Sequence, residues 1–310
     1  MASEETFIIK KLWDELSGIN MHKINRACQQ NLQIGLIGSS EMIEEMIKWL
    51  ISFPYASLNL PIDGNYNVYN KKEVMKRLIL VPTSAGGEIN GKLIKASNFC
   101  IVEPCLADAV KEHHLEVYIF DSNDAGLASQ ILANHERIRF TLSHNFPVFR
   151  PEHAKIEIQE TATQNAAWVF ISALPSFLPA PHRMIVAPLE IFADFIVLTV
   201  NEIKLMFEII GLMGEKIQLK HVLEIILLFS LAKASKEIAT LILRSIPYQS
   251  ALVVKAALAY AFTWAIGETM VFFIVTRQRV SLDFVIRRMR HHFKQGLVRA
   301  TCMGKKKITN

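Results

Sequence analysis

Residues 251–275, ALVVKAALAYAFTWAIGETMVFFIV, constrain this chain more than any other stretch. Only Lys255 and Glu268 carry charge there. At about 1.5 Å of rise per residue, a helix over this stretch just reaches across a bilayer core of about 30 Å. Small side chains recur every fourth place: Ala257, Ala261 and Ala265 on one row, Ala259, Thr263 and Gly267 on another. Such rows let helix backbones approach closely, in lipid or in a tightly packed bundle.

The 310 residues suffice for two domains of ordinary size, and 51% of them are hydrophobic. Charge is unevenly placed. Of the 34 Lys and Arg residues, ten fall from residue 276 onward, together with one of the 29 acids, Asp283. A mildly acidic body with a basic tail calls for an anionic partner, either lipid headgroups or nucleic acid. Cys28, Cys100, Cys105 and Cys302 show neither CxxC nor zinc-ligand spacing, and read as free thiols in a reducing compartment. The opening MASEETFIIKKLW puts acids before its lysines and lacks an apolar core, so no secretory signal is expected.

Residues 7–30 have helical spacing through Ile8, Leu12, Leu16 and Ile19, with Trp13 as an anchor. Residues 32–38, LQIGLIG, read as a buried strand ending in Gly-Ser-Ser, followed by a helix over 41–51. Strand, glycine turn and helix open a nucleotide-binding α/β domain. Three more short apolar runs, at 77–82, 98–103 and 116–121, alternate with helical patterns at 105–113 and 124–135. That alternation predicts a mostly parallel sheet. Residues 54–71, with Pro61, Gly64 and several Asn, predict a loop, with an edge strand within it as the alternative.

A phosphate loop needs Gly-x-x-x-x-Gly-Lys-Ser/Thr. Counted from Gly38, its remaining key places hold Ile43, Glu44 and Glu45. A carboxylate stands where the lysine belongs, so the motif is absent. Gly35 and Gly38 lack the third glycine of a dinucleotide fingerprint. What remains is a helix N-terminus at Gly38, Ser39 and Ser40, read either as a weak anion site or as plain helix capping. The turn VPTSAGG over 81–87 is a second glycine-rich strand exit. Asp124 matches the last place of the guanine-reading Asn-Lys-x-Asp motif, but Asp121 and Ser122 replace its first two residues, and an Asx-type cap accounts for Asp124 equally well.

FPVFRP over 146–151 marks a domain boundary, and 152–174 predicts one helix. Pro175, Pro179 and Pro181 break the chain. A helix over 188–211 is expected to start at Pro188 and stop at Gly211. Its Glu190, Asp194, Asn201, Lys204 and Glu208 lie within roughly 80° of one another, a pattern read as a solvated face ahead of a metal or proton site. A further helix is expected over 219–244. In the tail, Ser281 is a fair N-cap and Gly296 a fair stop. Between them Leu282, Val285, Ile286, Met289 and Phe293 form an apolar stripe, with Arg287, Arg288, Arg290 and Lys294 around it. This reads as a basic amphipathic helix for a membrane surface, or as a bundle helix with a solvated basic back.

The segments ALPSFLPAP, ADFIVLTVNEI and KAALAYAFTWAIGETMVFF resemble the YcjF-like helical family of unknown function, which is often fused to Era/TrmE-type GTPase domains. The likeness covers roughly residues 146–279. It implies a helical, membrane-associated module beside a GTPase-like domain, and makes the LIGSS region look like a decayed relative of that domain.

The expected architecture is α/β followed by all-α. It comprises an N-terminal helix (1–30), a small parallel-sheet, Rossmann-like and degenerate GTPase-like domain (31–145), a helical membrane-associated domain (146–275) and a basic tail (276–310). The expected function is non-catalytic binding or scaffolding at the cytoplasmic membrane face. Arg287, Arg288, Arg290 and Lys294 would meet anionic lipid, with a second copy or another protein as a further partner and nucleic acid disfavoured. No cofactor, metal or catalytic residue is assigned. One alternative is GTP hydrolysis with Mg²⁺, using Gly38, Ser39, Ser40 and Thr83 around the phosphates and Asp124 on the base. The other is a soluble helical interaction protein.

Overall fold

The structure is a computed structural model that describes residues 21–54, 58–62, 69–83, 91–113, 116–122, 124, 126–172, 183–218 and 248–308, with backbone alone for 93, 183–196, 248–251 and 304–308. Several expected features lie outside the described residues: most of the first helix, most of the 54–71 loop, the glycines after Thr83, the proline-rich break and the helix over 219–244. The chain divides into two compact units. One is α/β, spanning 22–155 and 210–216; the other is helical, with 156–209 and 217–310. The sequence reading put the boundary at FPVFRP; by packing, the α/β unit runs on to Lys155 and takes in a later segment as well.

The α/β unit opens with α1 (Met21–Cys28), β1 (Ile34–Gly38), α2 (Ser40–Leu50), α3 (Lys71–Met75) and β2 (Leu78–Pro82). It continues through α4 (Gly91–Lys95), β3 (Phe99–Val102), a 3₁₀ turn over Pro104–Leu106, α5 (Ala107–Lys111), β4 (Val117–Ile119), α6 (Leu127–Asn134) and α7 (Arg139–Asn145). The four strands form one sheet in the order β2-β1-β3-β4, and every pairing is parallel. All four expected strands are present. The two central ones, IGLIG and FCIV, are buried throughout, which is why they read as unbroken apolar runs. The edge strands leave Leu80 and Ile119 exposed.

On one face of the sheet Ile37, Val81, Val102, Ile94 and Val110 form a core cluster. Elsewhere in this unit the Trp49 ring of α2 meets Phe120 and Phe149 edge-on, with centroids 5.9 and 5.8 Å apart. Gly35 is required by close approach: a Cβ there would lie 2.9 Å from Cys100 Sγ. The segment 210–216 makes a polar contact at Gly211 and lies at Gly214 beside the Arg150 guanidinium. Gly211 O lies 2.7 Å from His144 Nδ1, and buried Arg150 donates from Nε to Ser143 O (2.9 Å) and from Nη2 to His144 O (3.0 Å). Burial pulls the Arg150 pKa down to about 9.

The helical unit is built from α8 (Arg150–Ser172), α9 (Arg183–Leu212), α10 (Tyr248–Thr276) and α11 (Leu282–Ile308), counting the parts of α8 and α9 that fall within it. Three sequence boundaries are corrected here. The α9 helix begins before Pro188 and runs past Gly211; its stop is Gly214, at φ +89°, a backbone that glycine adopts without penalty. Gly296 does not end α11, which continues to Ile308. It is a packing glycine instead, since a Cβ there would sit 2.5 Å from Ala257 O of α10.

Both small-residue rows of α10 are used. Ala257, Ala261 and Ala265 are fully buried, and Ala257 lies against Gly296 of α11. The second row turns to α8, where Thr263 Oγ1 accepts from Asn165 Nδ2 (2.9 Å) and Gly267 leaves room for Ile158. Asn201 Nδ2 of α9 donates in turn to Asn165 Oδ1 (2.8 Å), so one buried amide ties three helices together. The expected solvated face of α9 is therefore partly internal. Glu208, beside Lys204 (3.3 Å), has its carboxyl raised to about 7 by burial and by neighbouring Glu157. The side chains of Glu190 and Asp194 lie outside the described residues.

Candidate functional site

In a doubly wound sheet of order 2-1-3-4, helices leave the first and third strands in opposite directions, and ligands bind at the carboxyl ends of those strands. Here that point lies between Gly38, which ends β1, and Glu103, which follows β3. Ser39 is the N-cap of α2, its Oγ accepting from Met42 N at 3.2 Å. Ser40 is the first helical residue and is exposed. Gly38, Ser39 and Ser40 form the junction from β1 into α2, with Ser39 as the helix cap.

What the sequence did not disclose is the occupant. Glu103 Oε2 accepts a hydrogen bond from the Ser39 backbone N–H at 2.7 Å. A carboxylate belonging to the chain itself thus takes one backbone amide at the helix N-terminus, the kind of group that binds anions. Gly38 makes room for it, because a Cβ at 38 would come within 3.0 Å of Glu103 Oε2 and 3.1 Å of Glu103 Cβ. The neighbouring backbone is closed by Glu103 N donating to Ile37 O and Thr83 N to Gly38 O, both at 2.9 Å. The signal in the sequence was an acid directly after a buried strand and before Pro104, but only strand order places it beside Ser39.

Asp124 serves its own loop. Its Oδ1 accepts from Gly126 N at 2.7 Å, and its N–H donates to Asp121 O at 3.0 Å, an Asx-type turn leading into α6. It follows β4, which β3 separates from β1 in the sheet. Among the described residues, no group of three or more His, Cys, Asp and Glu side chains is placed to hold a metal ion.

In the helical unit, the four cations assigned to lipid divide into two classes. Arg288 is turned inward: Nε lies 2.6 Å from Glu268 Oε2 and Nη2 lies 2.7 Å from Oε1, a two-pronged contact with α10. His292 Nε2 lies 3.0 Å from Glu268 Oε1, and the His292 ring stacks on Trp264 with centroids 4.5 Å apart. Burial by itself raises the Glu268 carboxyl, but His292 and Arg288 outweigh it and hold the pKa below the usual carboxylate range. Arg287, Arg290 and Lys294 are exposed, Arg287 pairing along the helix with Asp283. The apolar side of α11, including Phe284, Val285 and Met289, is buried, and Phe284 lies 4.9 Å from Phe272 of α10.

Residues 252–276 of α10 are long and apolar enough to cross a membrane, and 83% of the most apolar window is buried inside the molecule. No protein-family model, curated protein or solved structure matches the chain.

Proposed function

We propose that this chain is a non-catalytic, membrane-associated binding protein whose α/β unit keeps a nucleotide-fold layout without a nucleotide. The observation that carries the reading is Glu103 on the Ser39 amide. An incoming phosphate would have to displace a covalently tethered carboxylate, with no lysine at the phosphate-loop position to compensate. The four strands follow the first four places of the common doubly wound order 2-1-3-4-5, which is compatible with kinship to an Era/TrmE-type GTPase domain. The apolar, small-residue helix α10 and the basic α11 support kinship of the helical unit with the YcjF-like module. Serving as the core helix of its unit, α10 leaves attachment to the exposed cations, and the cytoplasmic leaflet is where anionic lipid attracts such charge.

Titration calorimetry of the whole chain with GTP and Mg²⁺ tests the reading. No binding heat is expected up to millimolar nucleotide. Micromolar affinity, abolished by Gly38→Val, would overturn this reading, and magnesium-dependent GTP turnover lost in the same variant would establish the GTP-hydrolysing alternative.

A further inference from the structure

The basic helix α11 offers two routes to a membrane, insertion of its apolar stripe or contact by its charges, and the packing separates them. Val285, Met289, Gly296 and Ala300 are buried, and Glu268 of α10 holds Arg288 and faces His292 on the same inner side. With Val285 and Met289 buried and Leu282, Ile286 and Phe293 half-buried, no part of the apolar stripe is fully exposed to sink between acyl chains. At about 100° per residue, Arg287, Arg290 and Lys294 fall within roughly 60° of one another on the opposite side. All three are exposed, and Asp283 is the one acid between residues 276 and 310. Among the described residues, Arg290 and Lys294 make no ion pair. Val298, 61% exposed, falls on the same side one turn beyond Lys294.

Resting on the membrane-associated reading above, we infer that the outer face of α11, Arg287, Arg290 and Lys294 around Val298, is a docking surface for anionic lipid headgroups. It binds by charge without insertion of the helix, and Arg288 takes no part. Lipid is favoured over nucleic acid on two grounds. An exposed aliphatic side chain amid cations suits the headgroup layer, and no recognised nucleic-acid-binding motif accompanies the charge, the exposed ring beside this face being the His291 imidazole.

The test is co-sedimentation of the full chain with vesicles of phosphatidylcholine alone, or with 30% phosphatidylserine, at roughly 0.1 and 0.5 M salt. The wild type is expected on the anionic vesicles only and is released by high salt. Arg287→Gln/Arg290→Gln/Lys294→Gln, all at exposed positions, is expected to keep the wild-type melting temperature and lose on the order of 100-fold in partitioning, about fivefold per charge. If the wild type binds and this variant binds equally, the surface assignment falls while membrane association stands. If the wild type binds neither vesicle, membrane association fails and takes the surface with it. Binding to both vesicles regardless of salt would mean insertion, and displacement by duplex RNA at equal charge would make the ligand nucleic acid; either overturns the inference.

Discussion

At the scale of single residues, partly and fully buried charges shape the local structure most. Glu103 is the clearest case, a half-buried acid whose hydrogen bond to the Ser39 amide fills its own fold's anion position. Glu103→Ala is expected to lower unfolding free energy by about 1–3 kcal/mol in urea, the usual scale for a charge-assisted bond to backbone. Glu208 works the other way. Its carboxyl is raised from 4.5 to about 7 in the fold, chiefly by burial, so the folded state binds its proton more tightly than the unfolded state does. Its cost is absent below pH 4.5, grows between 4.5 and about 7, and is complete above that. Glu208→Gln is therefore expected to stabilise the protein above neutral pH, by at most about 3 kcal/mol, and to match the wild type at pH 4. Denaturation measured at both pH values checks the sign. Neither role was legible in the sequence, since each depends on neighbours far along the chain or on burial that periodicity alone does not report.

At the scale of elements, α10 and α11 are fitted to one another by small residues and one ionic contact. Glycine to alanine in an exposed helix interior gains about 1 kcal/mol. At Gly296 the sign should reverse, because the added methyl meets Ala257 O at 2.5 Å. Gly296→Ala is expected to lose about 1–3 kcal/mol, the range for overpacking, with a matching fall in melting temperature. Arg288→Gln removes the two-pronged contact from buried Glu268, leaving His292 beside it, and is expected to cost about 3 kcal/mol, whereas Arg290→Gln, two residues on, should stay within about 0.5 kcal/mol. The strands of the sheet and the small-residue rows of α10 could be read directly from residue type and spacing. The inward turn of Arg288 could not, because a helical wheel places an arginine outside by default and its partner Glu268 belongs to the preceding helix. Gly296 misled for a related reason: the same residue that ends many helices also permits the closest helix contacts.

For the whole molecule, the sequence carried the division of labour, an α/β half with strands alternating with helices and a helical half dense in apolar residues. Strand order was beyond it, and strand order sets the candidate site: only with β1 beside β3 does Glu103 reach Ser39. The absent lysine at the phosphate-loop position pointed to lost triphosphate binding; in the proposed reading the Glu103 carboxylate on the Ser39 amide adds a means of exclusion. The central claim is that the ligand crevice of this fold is closed from within. Amide resonances of residues 38–42, followed by TROSY spectroscopy while GTP and Mg²⁺ are raised to about 1 mM, test it most directly. The account predicts a Ser39 resonance that does not move and a Glu103→Ala variant in which it does. A wild-type Ser39 resonance that shifts and saturates at micromolar nucleotide would contradict it.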